Sequence, residues 1–499
     1  MLFHKEYPII RKRADHCISR ANIDPDALRV LRRLSKAGYT AYLVGGGVRD
    51  LLLGRKPKDF DVGTDARPNE IKRLFRNCFL VGRRFRLAHI RWGQNVIETS
   101  TFRKSPPPPD DPIDTLYQYE DNTFGSPEED AHRRDFTVNG LFYDIKTFAV
   151  IDYVGGLRDL ERKVLRSIGD PNIRFLEDPV RMMRAVRLAA VLDFTIDRTS
   201  RRAIRRHYRE IEKASAPRLL EETFRLFSRH ASEQAFQLLH ETKLMSVLLP
   251  DVDAFVKESG GKASPLWKTL AAFDADPASD GDPSNALRLA VLYWPIFKAR
   301  VEGLSASPDP DSPQRRGGRI NHRAIAREIL DPAGTKFRMP KMAVLGATYI
   351  LDCQRRFDAP KTLRPGSFRG DFFDDALALF RIRLAADGQD TTPADRIGRR
   401  LAQSRSTRQP LYSEGEANAE AADEARTPRQ MAENEDSEAV RDGDASDSER
   451  NSERPFGKGG RRNRRPKHRS RGKRRRTLPN PEVSGSPFEP VDKRSKNRD

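Results

Sequence analysis

Two aspartates flank one phenylalanine in Lys56-Pro-Lys-Asp-Phe-Asp-Val-Gly63. In an extended stretch Asp59 and Asp61 stand on one face while Phe60 turns to the other. Carboxylates that close raise the cost of ionising each other, so a positive partner is required. Lys56 and Lys58 are at hand, but a divalent cation fits better, because hard cations take carboxylate oxygens. Alone, such a pair would be two solvated acids at a strand end. It is not alone. In Leu43-Val-Gly-Gly-Gly-Val-Arg-Asp50 the glycines Gly45, Gly46 and Gly47 fall between an expected strand and a helix expected to begin at Val48. Glycines there let backbone N–H groups approach a phosphate, and the helix N-terminus adds positive potential. Arg49 falls in the first turn, where its fork could grip a phosphate with two parallel hydrogen bonds. Glycine turn, arginine and paired aspartates together describe a triphosphate cradle facing a metal site.

Two further clusters extend this chemistry. Arg133-Arg-Asp-Phe-Thr-Val-Asn139 offers Arg134, Asp135 and Asn139, and Glu98 lies on an expected strand in Asn95-Val-Ile-Glu-Thr99. Either Asp135 or Glu98 could be a third carboxylate, and both remain open at this stage. In Leu176-Glu-Asp-Pro-Val-Arg181, Glu177 and Arg181 are four residues apart and Asp178 and Arg181 three, so all meet on one face of a continuous helix. As an ion pair this would contribute about 0.2–0.5 kcal/mol. As a base reader it has more to offer: a carboxylate accepts from an exocyclic amine and a guanidinium donates to a ring nitrogen. Adenine and cytosine share that edge, whereas guanine and uracil invert it.

These segments resemble the signatures of the class II nucleotidyltransferases, the family of bacterial poly(A) polymerases and tRNA CCA-adding enzymes. The resemblance implies an α+β fold, with a nucleotidyltransferase head built on a mixed β-sheet, then an all-α neck and body. It implies that Asp59 and Asp61 hold Mg²⁺ in a two-metal mechanism and that Asp135 is the third acidic residue. Gly45, Gly46, Arg49, Arg134 and Asn139 would face the triphosphate and ribose of ATP, and Asp178 and Arg181 would read the base. Asp152, Gly155 and Gly156 match the hinge between head and neck. Phosphoryl transfer needs positioning and charge neutralisation more than a covalent catalyst, in keeping with this set. Residues 78–93, which include His89, and residues 178–190 are more similar to the polymerase branch, and no His-Asp dipeptide marks a phosphohydrolase domain. The implied activity is template-independent addition of adenylate to RNA 3′ ends with release of pyrophosphate, promoting RNA decay. Implied partners are single-stranded RNA 3′ ends, ATP and the RNA-decay machinery, for a monomer in the cytoplasm. A CCA-adding enzyme is the alternative. A non-catalytic RNA-binding protein on the same scaffold is a third reading, against which the intact aspartates count.

The elements that must position these residues are legible in outline. Residues 1–24 read as a polar lead-in and 25–168 as the head, with strands expected in Tyr39–Gly46, Asp59–Thr64, Phe79–Arg83, Leu87–Arg103 and Phe136–Ile145. Residues 169–230 read as a helical neck, 231–388 as a helical body and 389–499 as a disordered tail. A single helix is expected through residues 175–192, with Leu176, Val180, Met183, Val186 and Ala190 on one apolar stripe. The proline- and acid-rich residues 103–123 read as a loop. In the tail, 413–450 is acidic and 461–476 carries eleven Lys or Arg in sixteen residues, suited to salt-sensitive RNA contact. Over all 499 residues, 92 Lys and Arg oppose 72 Asp and Glu for a net charge of +20, which favours a polyanionic partner. Cys17, Cys78 and Cys353 are too scattered for a disulfide framework or a zinc site, which points to a reducing compartment. The sequence shows no secretory signal and no apolar run long enough to span a bilayer.

Overall fold

The first helix of the head shows how local chemistry sets an element. Asp24 accepts hydrogen bonds from the amides of Asp26 (2.7 Å) and Ala27 (3.2 Å), Pro25 occupies the first helical position, and the helix Pro25–Lys36 ends before Gly38 at φ +92°. Its apolar face, including Val30, Leu31 and Leu34, packs on an eight-stranded sheet. The structure, a computed structural model, describes residues 8–82, 86–104, 123–306, 314–316, 319–358 and 371–406.

The strands are β1 (Ile9–Arg11), β2 (Ala41–Val44), β3 (Asp61–Thr64), β4 (Cys78–Val81), β5 (Leu87–Trp92), β6 (Asn95–Thr101), β7 (Leu141–Asp144) and β8 (Ala149–Asp152). Their order across the sheet is β1-β8-β7-β2-β3-β6-β5-β4, and β3 with β6 is the one parallel pair in it. The expected mixed-sheet head is therefore present. Alternation sorts each strand: Val62, Ala88, Ile90 and Ile97 enter the core, while Glu98 and Arg91 face water.

Three details depart from the expected elements, each with a local cause. Strand β3 begins at Asp61, so Asp59 precedes the ladder. The helix after β2 begins at Gly46 and runs to Leu52, taking in two of the three glycines. Only Gly45 has a positive φ, +73°; at Gly47 a β-carbon would sit 3.3 Å from the Asp59 carbonyl oxygen, a tight approach that a larger residue would have to push back. Residues Thr137–Asn139 form a 3₁₀ turn and not a strand. Asp135 Oδ1 accepts from the Phe136 amide and from Asn139 Nδ2, an alternative to ladder bonding.

The neck departs more. In place of one helix there are two, Pro171–Glu177 and Val180–Leu192. Pro179 forces its predecessor out of the helical region, and Asp178 stands at φ −143°, ψ 92°. The stripe survives only past the break: Val180, Met183, Val186 and Ala190 are buried, whereas Leu176 is 50 % exposed. Helices continue through the body, where Asn285–Ala306 packs on Lys341–Phe357 and on Phe373–Ala386. One apolar cluster joins head, neck and body from Ile18 to Ala394, so residue 230/231 marks no break in the core. The tail boundary expected at 389 is corrected by the helix Thr392–Ser406, in which Ala394 is buried. Short strand pairs, Val164–Leu165 with Thr195–Ile196 and Arg315–Arg316 with Arg319–Ile320, also lie among the helices. The readings of 413–450 and 461–476, and of most of the 103–123 loop, fall outside the described residues. Among the described residues no helix is long and apolar enough to cross a membrane.

Candidate active site

A cleft of about 1100 Å³ opens between the head sheet and the neck, and the ten residues to which the resemblance gives a role in metal, triphosphate or base contact line it: Gly45, Gly46, Arg49, Asp59, Asp61, Arg134, Asp135, Asn139, Asp178 and Arg181. Nine arginines and one lysine face seven aspartates along its walls, an excess of positive charge suited to polyphosphate.

Asp59 and Asp61 stand at one end. Asp61 opens β3 opposite Val44, and because Val62 pairs with Thr99, the preceding residues Asp61 and Glu98 are neighbours on adjacent strands. Burial, then the Glu98 charge, push the Asp61 carboxyl up to about 6; Arg134 opposes this and Asp59 adds to it. This corner carries more negative charge than its surroundings compensate. Glu98 does not line the main cleft but sits beside it, 3.8 Å from His89 Nε2.

Asp135 is held quite differently. Arg184 donates to its Oδ2 from Nε (2.9 Å) and Nη2 (2.6 Å), while Oδ1 accepts from Asn139 Nδ2 (3.0 Å) and the Phe136 amide (2.9 Å). Burial alone would raise its pKa, but Arg184 and these hydrogen bonds outweigh burial and hold the carboxyl down to about 2. The chain of contacts runs on both ways. Asn139 Oδ1 accepts from Arg49 Nη1 (2.6 Å), and Arg49 in turn donates to Asp50 from Nε (2.8 Å) and Nη2 (2.7 Å). On the neck side Glu222 Oε2 accepts from Arg187 Nε (2.8 Å), and Arg184 Nη1 lies 3.5 Å from Glu222 Oε1. The fork of Arg49, expected to be open for phosphate, is thus taken up by Asp50 and Asn139. Arg134 is the more open: Asp130 holds one edge (Nη2–Oδ2 2.9 Å), and its Nη1 is close enough that a β-carbon on Gly45 would lie 2.9 Å away.

Asp178 and Arg181 both face the cleft, but the helix break gives them separate partners. Arg218 Nη2 donates to Asp178 Oδ2 (2.8 Å), and Arg181 Nη1 donates to Glu177 Oε2 (3.0 Å) and the Arg174 carbonyl (3.0 Å). The hinge aspartate has a structural task. Asp152 is fully buried and accepts from the amides of Val154, Gly155, Gly156 and Leu157 at 2.9–3.0 Å. The arginines Arg184, Arg187, Arg218, Arg225, Arg229 and Arg288 were not anticipated. For the first two a signal exists: they follow Arg181 at three-residue steps, which sets the three arginines on successive turns of one helix.

Comparison with known proteins places these features. The family profile described as "Poly A polymerase head domain" matches residues 41–166, and that described as "Probable RNA and SrmB- binding site of polymerase A" matches residues 193–256. Poly(A) polymerase I of Salmonella typhi is 44 % identical over 290 residues, 56 % of this chain and 62 % of that protein, so the match spans less than two thirds of that relative. Poly(A) polymerase I of Escherichia coli O6:H1 is 39 % identical over 386 residues, 74 % of this chain and 80 % of that protein. Among solved structures, the CCA-adding enzyme of Bacillus stearothermophilus in complex with CTP superposes with a TM-score of 0.54 at 27 % identity, covering 77 % of this chain and 83 % of that one.

Proposed function

The chain belongs to the bacterial poly(A) polymerase I family, and from that footing we propose that it adds adenylate from ATP to RNA 3′ ends without a template, releasing pyrophosphate. The observation that carries this reading is the meeting, in one cleft, of an under-compensated acidic corner with walls rich in arginine. The corner suits a divalent cation and the walls suit a triphosphate.

The corner also fits Mg²⁺. The described residues contain no preassembled cluster of three or more metal-ligating side chains. Mg²⁺ asks for none, since it is usually held by one or two carboxylates together with substrate phosphates and water. Asp59 and Asp61 would hold it, and Glu98, nearer to Asp61 by strand register, is our choice for the third carboxylate over the arginine-bound Asp135. Mg²⁺ bound there supplies charge neutralisation for the triphosphate and eases ionisation of the attacking 3′-hydroxyl. The protein's own residues position the reactants. Arg134 keeps a guanidinium edge beside Gly45 and Asp61. Arg49 and Asn139, tied to one another and to Asp50 and Asp135, brace the start of the helix Gly46–Leu52. Asp178 and Arg181 read the base edge, exchanging Arg218 and Glu177 for the amine and ring nitrogen of adenine.

Incubation with Mg²⁺, one nucleoside triphosphate at a time, and RNA with or without a tRNA fold tests the assignment. Long adenylate tails on unstructured RNA are expected. Addition that stops after CCA on tRNA would assign the chain to the CCA-adding branch, and no incorporation with any nucleotide would leave an RNA-binding scaffold.

A further inference from the structure

The open face of β4, β5 and β6 is a row of side chains aligned by register. Asp61 neighbours Glu98, Glu98 pairs across with His89, and His89 pairs with Phe79. Paired residues on adjacent strands point to the same face. The row therefore reads carboxylate, carboxylate, imidazole, phenyl ring, at strand spacings of about 4.8 Å. Its far end is bare: Phe79 is 61 % exposed, and its face-mate Val81 and the β6 residue Val96 are exposed as well. The other face of the same strands, with Cys78, Ala88, Ile90 and Ile97, is buried in the core. A half-sheet that buries one side and leaves a phenyl ring uncovered in line with catalytic carboxylates calls for an occupant.

Its position selects that occupant. The cleft holds the head arginines Arg49 and Arg134 and those of the neck, while Glu98, His89 and Phe79 lie outside it, across β6, β5 and β4 from Asp61. In-line displacement at a phosphorus places the attacking oxygen opposite the leaving group. If the triphosphate occupies the arginine side, the acceptor approaches from the row. The charge agrees: Arg91, exposed and two residues from His89 on the same face of β5, can meet an acceptor phosphate. Exposed sheet aromatics beside cations are the usual platform for single-stranded bases.

We propose that Phe79, with His89, is the stacking platform for the last bases of the acceptor RNA, setting its 3′-hydroxyl toward Asp59 and Asp61. This rests on the reading of Asp59 and Asp61 as the reaction centre. The test uses the full chain and an oligo(A) acceptor. In Phe79→Ala the KM for oligo(A) should rise roughly tenfold or more, while the KM for ATP and kcat at saturating oligo(A) stay within twofold. Phe79→Tyr should restore the acceptor KM. In Phe79→Trp, whose indole is exposed, oligo(A) should quench fluorescence without Mg²⁺ or ATP, and oligo(A) with abasic 3′-terminal residues should quench it far less. An unchanged acceptor KM, an equal rise in the ATP KM, or quenching indifferent to the terminal bases would each overturn the platform. Base-dependent quenching without any nucleotide incorporation would uphold the platform and overturn the activity instead.

Discussion

Asp61 and Asp135 line one cleft, are both withdrawn from water, and have opposite fates. Asp61 lies among acids, and its carboxyl is pushed up to about 6 by burial, Glu98 and Asp59 against the single counterweight of Arg134. Asp135 has both oxygens filled by Arg184, Asn139 and a backbone amide and is held down to about 2. The first corner holds more negative charge than Arg134 balances. The second is a closed network that ties the head, through Arg49 and Asn139, to the neck, through Arg184 and Glu222. Two carboxylates that a motif reading treats alike thus divide into one poised for a ligand and one that positions its surroundings.

The largest expected effect breaks this division at the acidic corner. Asp61→Asn should lower adenylate incorporation on the order of a thousandfold, the loss of several kcal/mol of charge stabilisation. In Mg²⁺-free buffer at pH 7 the same variant should melt no lower than the parent, because a charge that repels its neighbours is gone. A large drop in melting temperature would show that Asp61 is structurally compensated in a way the surrounding charges do not reveal.

The mirror experiment is Asp135→Asn. It leaves Arg184 facing an amide in a half-buried site, with an expected destabilisation of about 2 kcal/mol by urea unfolding. Incorporation should fall by about tenfold, far less than for Asp61→Asn. Full loss of turnover at unchanged stability would move Asp135 to the metal-binding side of the comparison and return Glu98 to the surface.

A third, subtler difference lies in pH. The Asp61 pKa is raised in the folded state, so between about 4 and about 6 the native protein holds the extra proton and stability falls as pH rises. The Asp135 pKa is lowered, so its contribution is present above the unfolded value near 4 and is lost as pH falls toward about 2. Urea unfolding of Mg²⁺-free protein from pH 3 to 7 should show Asp61→Asn removing the decline between pH 4 and 6, and Asp135→Asn flattening the acid side. Slopes unchanged by either substitution would remove the electrostatic basis of the contrast.

The smallest stability effect belongs to Arg181→Ala. Its pairing with Glu177, which is half exposed, contributes about 0.2–0.5 kcal/mol. Its weight should appear in selectivity: kcat/KM for ATP over GTP should fall about tenfold or more, since a wrong base then meets no misplaced donor. Nucleotide ratios equal to those of the parent would leave Arg181 as a strut between the two neck helices and nothing more.

Much of the site could be named from the chain alone, because its parts are local. Strand, glycine turn, arginine and paired aspartates fall within residues 43–62, and all ten predicted residues do converge on one cleft. Strands among helices, then helices alone, were legible for the same reason, since alternation and helical spacing are short-range patterns; that the strands form a mixed sheet was implied only by the resemblance. Roles were not legible. Arg49 looked open and proved to be engaged by Asp50 and Asn139, the latter ninety positions away in the chain. The break at Asp178 follows from Pro179, yet a continuous apolar stripe concealed it.

What the sequence determined by itself is which side chains could do this chemistry and on what kind of element each would lie. Only the tertiary structure decided which acid keeps a free charge. A carboxylate's state depends on what stands within a few ångströms of it, and those neighbours arrive from far along the chain: Glu98 reaches Asp61 through the parallel pairing of β3 with β6, and Arg184 reaches Asp135 by the packing of the neck on the head. Register across β6, β5 and β4 likewise set Phe79 in line with the acidic corner, which no spacing between residues 59 and 79 could have shown.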